Sequence, residues 1–332
     1  MIGPDEARLG DALSLLLIAV LADAVLAGLP GLRDVLRAPA FAVRGLAGWC
    51  DARLNRPHRS EAARRIRGIL VILVIAGAAW AAGFAVERLV RAEGAWPGLE
   101  AVVLLFLLWH RAPFDLARAV AARLRAGDES GARAALARLS PGDAAALDAY
   151  SVARAAIEAE ARGFGAGVVG VTLWYVAFGL PGAVLFRAVH EASLRIGQGA
   201  APGAAFGAAA FRLDSLLGLI PAPVAGTLLA LAAIFVPRAN PFRGFRVMIR
   251  DFAKHGSPLS GWTFAAVAGA LGLALAGPRR GAPDEVPPGW IGDGRARAEP
   301  ADVGRASYLF AVAGLIHIGL LAGAFALLRA AA

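Results

Sequence analysis

Long uncharged runs alternate with short polar intervals along this chain. Residues 12–29 form the first run, close to the roughly 20 apolar residues that span a bilayer core. It follows Asp5, Glu6, Arg8 and Asp11 rather than a basic leader, so it predicts a retained transmembrane helix, not a cleaved signal. Asp23 lies inside it and either faces a bundle interior or reaches the interface near the helix end. Residues 66–86 predict a second span. Residues 98–109 are apolar but short and would cross only tilted or through a thinned bilayer. Residues 164–186 predict a further span that opens on Gly163, Gly165, Gly167 and Gly170; small residues there allow close helix approach, a flexible entry or backbone contact with a ligand. Residues 216–236 are interrupted by Pro221 and Pro223 and predict a kinked span or a re-entrant segment lining a cavity. Residues 263–276 are too short to span and read as buried or interfacial, and residues 307–328 form the last span, with His317 as a structural residue.

Between residues 111 and 162 the pattern changes to eight basic and seven acidic residues. Leu116, Val120 and Leu124 recur every four residues with Arg118, Arg123 and Arg125 elsewhere, which predicts an amphipathic helix. A turn is expected at 127–130. Ser140-Pro141-Gly142-Asp143 has the form of a helix start, with a capping Ser, Pro in the first turn and an early acid. That helix would carry Leu147, Tyr150, Arg154, Ile157 and Glu158, with Glu158 and Arg162 pairing at its surface.

Composition narrows the class. Of 332 residues 58% are hydrophobic, and the mean hydropathy is +0.61. Together with the apolar runs, this predicts an all-α polytopic membrane bundle, one membrane domain over 1–332 with 111–162 as a cytoplasmic amphipathic insertion. The net charge of +9 is explained by Arg-rich cytoplasmic loops rather than by nucleic-acid binding; residues 37–67 alone hold eight Arg against Asp51 and Glu61. Cys50 is the only cysteine, which excludes an intramolecular disulfide. No phosphate-loop or dinucleotide-binding signature is present.

The densest polar stretch between apolar segments is 238–262. It holds Arg243, Arg246, Arg250, Asp251, Lys254, His255 and Ser257, and Lys254 is the only lysine in the protein. It reads either as a basic juxtamembrane loop or as a site for an anionic ligand at the membrane face.

Punctuating motifs run in one order over most of the chain: Leu54-Asn55-Arg56, Val152-Ala153-Arg154-Ala155-Ala156-Ile157-Glu158, Gly179-Leu180-Pro181-Gly182-Ala183 with Arg187-Ala188-Val189, Arg212-Leu213-Asp214 before Ile220-Pro221-Ala222, Arg250-Asp251 with Lys254-His255 and Ser257-Pro258, Gly261-Trp262, Gly269-Ala270-Leu271-Gly272, Gly277-Pro278-Arg279-Arg280, and Ile291-Gly292-Asp293-Gly294. In this order they resemble the CobD/CbiB family of cobalamin biosynthesis membrane proteins. The resemblance implies a multi-pass protein of the inner (plasma) membrane. It also implies a ligase-type reaction that joins the carboxylate of adenosylcobyric acid to aminopropanol or its phosphate, with ATP and Mg2+. Departures fall mainly at acids and amides. Arg162, Gly163 and Ala166 stand where the family carries Glu, Asn and Asp; His190–Arg195 replaces an Asn-Thr-x-Asp-Ser-Met run; Leu259 and Phe264 replace an Asn and an acid; and Asp214 alone is left of an Asp-Asp pair, with Ser215 next.

Two readings follow. In the enzymatic one, Asp214, Lys254 and His255 are the catalytic set and His255 carries the proton. Arg187, Arg212, Arg250, Ser257 and Trp262 would bind the co-substrate, the cations neutralising phosphate oxygens, and Asp214 and Asp293 would contact the metal. Asp214 could alternatively cap the following helix. The second reading is a non-catalytic paralogue, a membrane scaffold or AmpE-like regulator, that has kept the packing motifs and lost acids.

Overall fold

The computed structural model describes residues 4–331 apart from 30, 93–97, 140–143, 198–203 and 279–288. The helices are α1 Pro4–Leu26, α2 Leu32–Leu36, α3 Ala38–Leu54, α4 Glu61–Arg91, α5 Gly98–Leu107, α6 Arg111–Arg125, α7 Glu129–Leu139, α8 Ala149–Phe164, α9 Val171–Ala192, α10 Ala204–Leu217, α11 Pro221–Ala232, α12 Pro241–Asp251, α13 Pro258–Leu271 and α14 Pro300–Ala331. Among the described residues the only extended pairing is two isolated bridges. Four helical stretches are long and apolar enough to cross a membrane, and the broken pair 205–217 and 221–235 makes up to five if it is one span. The chain is an all-α membrane protein.

The residues group into two compact units: Met1–Trp109 with Gly170–Leu217 and Ile318–Ala332, and His110–Val169 with Gly218–His317. The expected insertion at 111–162 falls in the second.

In the first unit, the 31 residues of α4 exceed the bilayer core by more than two turns at about 1.5 Å rise per residue. Ser60 caps its start by accepting from the Ala63 N–H at 3.3 Å. One side packs Val71, Ile72 and Ile75 with Ala47 of α3, Val189 of α9 and Phe206 of α10. The other side leaves Leu70, Leu73, Val74 and Phe84 exposed, an apolar wall that suits lipid. Asp23 of α1 is buried, so of its two expected placements the interior one holds. Segment 98–109 is shorter than crossing requires, because α5 has ten residues and covers about 15 Å. Residues 38–54, expected as part of a loop, are helical. Asn55 ends α3 with its N–H and Nδ2 on the backbone and side-chain oxygens of Asp51, at 3.0 and 2.9 Å.

In the second unit, α6 buries Leu116 and Val120 of the predicted stripe together with Ala117 and Ala121, and its third member, Leu124, is half-buried. Gly127 turns the chain with φ +73°. The helix start expected at Ser140-Pro141-Gly142-Asp143 lies outside the described residues. The helix carrying Arg154 and Glu158 begins later, at Ala149, where Asp148 accepts from the Ser151 N–H at 2.8 Å and Leu147 precedes it. Glu158 is 1% exposed, so it does not stand at the surface where a pair with Arg162 was expected. Instead its Oε1 accepts from the N–H of Ala276 at 2.8 Å and stabilises that residue's unusual φ of +58°. Of the readings of the glycine cluster, close approach holds at Gly165, where a Cβ would press on Thr263 of α13 at 3.1 Å. Nearly all of α13 is buried, and Leu273–Ala276 after its end are buried too, so of the readings for 263–276 the buried one holds, as a core helix to Leu271 and a bridged segment beyond it.

Candidate anion-binding site

The stretch 238–262 folds around Asp251. Asn240 caps α12 by accepting from the Arg243 N–H at 2.9 Å, and Pro241 occupies its first turn. Gly244, Val247, Met248 and Asp251 form the buried stripe, at helical spacing, against α13. Gly269 permits that approach, because a Cβ there would lie 2.5 Å from the Arg243 carbonyl. The stripe therefore carries a carboxylate into the interior at its last position.

Four donors meet that carboxylate. Arg250 grips it with Nε at 2.7 Å and Nη2 at 2.8 Å, Lys254 Nζ lies at 2.9 Å, and the Gly292 N–H donates at 2.8 Å. Gly292 reaches it from the segment that returns beside α13, where Ile291 bridges Leu275 and Gly292 has φ +86°. Arg250 beside it, then Lys254 and the Gly292 N–H, hold the Asp251 carboxyl far below the usual carboxylate range. Asp293 receives Arg243 Nη2 at 2.6 Å and Arg250 Nη1 at 3.1 Å, and these push it down to about 2, Arg243 first. Asp251 and then Asp293 raise Arg250 in turn. Arg250 and Lys254 are each 44% exposed, so both keep donor capacity toward solvent. The array is three cations organised by two acids, with a net positive outer face.

Beside the array, His255 Nδ1 accepts from the Ser257 N–H at 3.1 Å, which leaves Nε2 as the protonated nitrogen of the neutral ring. The His255 ring stands edge-on to Phe264 at 5.3 Å, and Trp262 stacks on Phe252 at 4.4 Å. Ser257 precedes α13 without a side-chain capping bond. Elsewhere in this unit a cleft of about 680 Å³ is lined by Phe114, Arg118, Arg125, Ser307 and Tyr308, none of them a residue predicted for the site.

The remaining predicted residues belong to the first unit. Arg212 is exposed. Asp214 sits inside α10, not before a helix, so it is no cap; it meets His190 Nδ1 at 3.0 Å in a buried pair. Arg187 Nη2 binds Glu191 Oε1 at 2.8 Å, and Arg44 Nε holds the other oxygen of the same carboxylate. Thus Arg250, Lys254 and Asp293 come together in one cluster with His255, Ser257 and Trp262 close in sequence, while Arg187, Arg212 and Asp214 lie in the other unit.

Asp251, Arg243 and Gly292 are central yet absent from the predicted set. Their signal was the Arg250-Asp251 and Ile291–Gly294 motifs, which sequence alone could not join. The acids expected at a metal, Asp214 and Asp293, each face a cationic or imidazole partner. Among the described residues no group of three or more His, Cys, Asp or Glu is arranged to hold a metal ion. These donors do not fit a protein-bound Mg2+ centre, and no chemical step is assigned to one.

Residues 16–310 match the sequence model of the CobD/Cbib protein family. The chain belongs to the CobD/CbiB family. A relative from a Sinorhizobium species, "Cobalamin biosynthesis protein CobD", is 38% identical over 77% of this chain and 80% of its own. Proteins of the same name from Rhodobacter capsulatus and Brucella melitensis are 37% and 31% identical, over 78% and 94% of this chain and 82% and 98% of theirs. No solved structure matches. The family match covers the whole Asp251 array and both acids of the first-unit pairs.

Proposed function

We propose that this chain is a multi-pass enzyme of the inner membrane that acts in cobalamin biosynthesis, joining a carboxylate of adenosylcobyric acid to the amine of aminopropanol or its phosphate. ATP is the co-substrate and brings Mg2+ on its own phosphate oxygens. In the reaction a substrate carboxylate oxygen takes the terminal phosphoryl group and ADP leaves. The amine nitrogen then forms the amide bond while phosphate departs, and one proton is released.

The observation that carries this reading is the Asp251 array. Arg250 and Lys254 are fixed by a buried carboxylate yet keep outward donors, which suits holding phosphate or carboxylate oxygens. An array fixed in the free protein needs little reorganisation as negative charge builds on the substrate. His255, with Nδ1 held by the Ser257 N–H, offers Nε2 as the nitrogen that exchanges a proton. Ser257 and Trp262 line the same segment, and Trp262 stacked on Phe252 presents an aromatic surface for a flat ligand. The names and family of the relatives support the pathway.

The test is complementation. A bacterium lacking its own synthase of this family is given the gene and grown on cobyric acid as corrinoid source. Growth is expected with the wild type, and loss of growth with Arg250→Ala present at wild-type level in the membrane. Absence of growth with wild-type protein correctly inserted would favour the scaffold alternative.

A further inference from the structure

The cleft between α6 and the start of α14 belongs to the second unit and shares no residue with the Asp251 array. Its volume of about 680 Å³ lies in the range of small-ligand sites. Arg118 and Arg125 stand about two helical turns apart on α6, so both line the same opening. Phe114 lines it beside Arg118, and Tyr308 and Ala311 line it from α14.

Both arginines are exposed, and neither has a carboxylate partner among the described residues. Arg118 lies over the Phe114 ring at 5.3 Å, a contact that uses the face of the guanidinium and leaves its N–H edge open. Arg125 Nη2 donates to the Pro300 carbonyl at 3.3 Å and keeps its other donors. The acids at the cleft are already engaged. Asp115 takes Arg111 Nε on both oxygens at 3.0 Å, and buried Glu160 takes the hydroxyl of Ser307, a lining residue, at 2.9 and 3.0 Å. The opening therefore carries two cations with donors to spare.

The apolar side of the cleft continues outward along α14. Tyr308, Ala311 and Leu315 recur at three- and four-residue spacing on one face, and Tyr308 and Leu315 are 50% and 68% exposed. This helix is one of the stretches able to cross a membrane, and its 32 residues exceed the roughly 20 that a bilayer core needs. Tyr308 lies about 12 Å from its start, so the cleft sits near the end of a span, where Tyr rings favour the headgroup level. A soluble phosphate ester leaves the exposed apolar face uncovered; a phospholipid matches both parts.

We propose that the α6–α14 cleft binds an anionic phospholipid, with Arg118 and Arg125 on the headgroup phosphate and an acyl chain along the face from Tyr308 to Leu315. Guanidiniums at the end of a span recognise such a phosphate by charge and by hydrogen bonds.

The test needs no synthesis to occur. Full-length protein in uncharged detergent is offered equal amounts of phosphatidylglycerol and phosphatidylcholine with the same chains, and native mass spectrometry scores the lipid retained. Wild type is expected to retain phosphatidylglycerol preferentially. Arg118→Gln and Arg125→Gln should each weaken that retention about fivefold, the effect of one basic side chain beside an anionic headgroup. The double variant should show no preference. Both residues are exposed and outside any ion pair among the described residues, so the fold is kept, which unchanged elution in size-exclusion chromatography verifies. Ala122→Glu, at an exposed position of the cleft wall, leaves both guanidiniums in place and should lower retention by adding a negative charge. Arg123→Gln removes a charge from the same helix outside the cleft, where Arg123 pairs with Asp128, and should leave retention unchanged. Excess glycerol phosphate should not displace the lipid; displacement would assign the cleft to a soluble ester and overturn the lipid reading. Equal retention of the two lipids by wild type, or an effect of Arg123→Gln as large as that of the cleft variants, overturns the proposal and leaves Arg118 and Arg125 as a solvated helix face.

Discussion

Replacing Asp251 by Ala removes the group around which α12 and the 291–294 segment are organised. Its side chain is fully buried and accepts four hydrogen bonds from three residues. The Gly292 N–H would lose its acceptor in a partly buried position, at a cost of about 1 kcal/mol, the low end for an unmatched donor. Arg250 and Lys254 would lose their charge partner, but both are 44% exposed and water rehydrates them, so only about 1–2 kcal/mol follows. The total is a loss of about 2–3 kcal/mol. Asp251→Asn keeps an acceptor for Gly292 and should lose less. The control is Asp115→Ala, whose partner Arg111 is 42% exposed; an exposed pair of this kind contributes at most about 1 kcal/mol. Equilibrium unfolding of the purified protein in mixed micelles, followed by Trp fluorescence, gives the three values. Amide exchange should also accelerate at 291–295 in the Asp251 variant. If Asp251→Ala is no more destabilising than Asp115→Ala and exchange at 291–295 is unchanged, Asp251 is not the organising group and the array argument fails.

Gly292→Ala and Gly294→Ala should each cut the yield of folded protein in fluorescence-detected chromatography. A Cβ at Gly292 meets the Leu273 carbonyl at φ +86°, and one at Gly294 meets the Gly272 backbone, whereas Gly289→Ala has open space and should be neutral. The Asp293 carboxyl is held at about 2, below the unfolded value of about 3.9, so its stabilisation is complete above pH ~4 and disappears as pH falls through 2. Thermal melts should therefore show wild type ahead of Asp293→Asn at pH 5, with the gap closing toward pH 2; a gap that widens with acid would reverse the sign. Cys50 is expected on the cytoplasmic side with the Arg-rich segment 37–67, so an impermeant maleimide should label it only after cells are opened, with rapid labelling of intact cells as the refuting result. The reaction should speed up with rising pH, since burial raises the thiol pKa.

The spans were legible because 20-residue apolar runs have few alternatives in a chain of this hydropathy. The amphipathic stripe of α6 was legible for a similar reason, since Leu116 and Val120 recur at the helical period and are both buried. What local pattern could not give was the long-range use of polar groups. Glu158 and Arg162 stand four apart and invite a surface pair, but Glu158 is spent on the backbone of Ala276, 118 residues away. Asp214 looks like a helix cap beside Pro221, yet its partner His190 lies 24 residues back on another helix. Residues 38–54 read as loop because their Arg content masked a helix whose apolar side packs on α9. At the site the cations were found and their organiser was not: Asp251 is one acid among several in sequence, and only burial with four donors singles it out.

The central claim is that the Asp251 array serves amide synthesis on a corrinoid. The most direct measurement is product formation by the purified protein in lipid nanodiscs, supplied with adenosylcobyric acid, ATP and either aminopropanol or its phosphate, with the corrinoid products resolved by mass spectrometry. The account predicts an ATP-dependent product carrying the added amine, abolished in Arg250→Ala and strongly reduced in Lys254→Ala while both variants remain folded. Full activity in Arg250→Ala, or no product with either amine from folded wild-type protein, would contradict it.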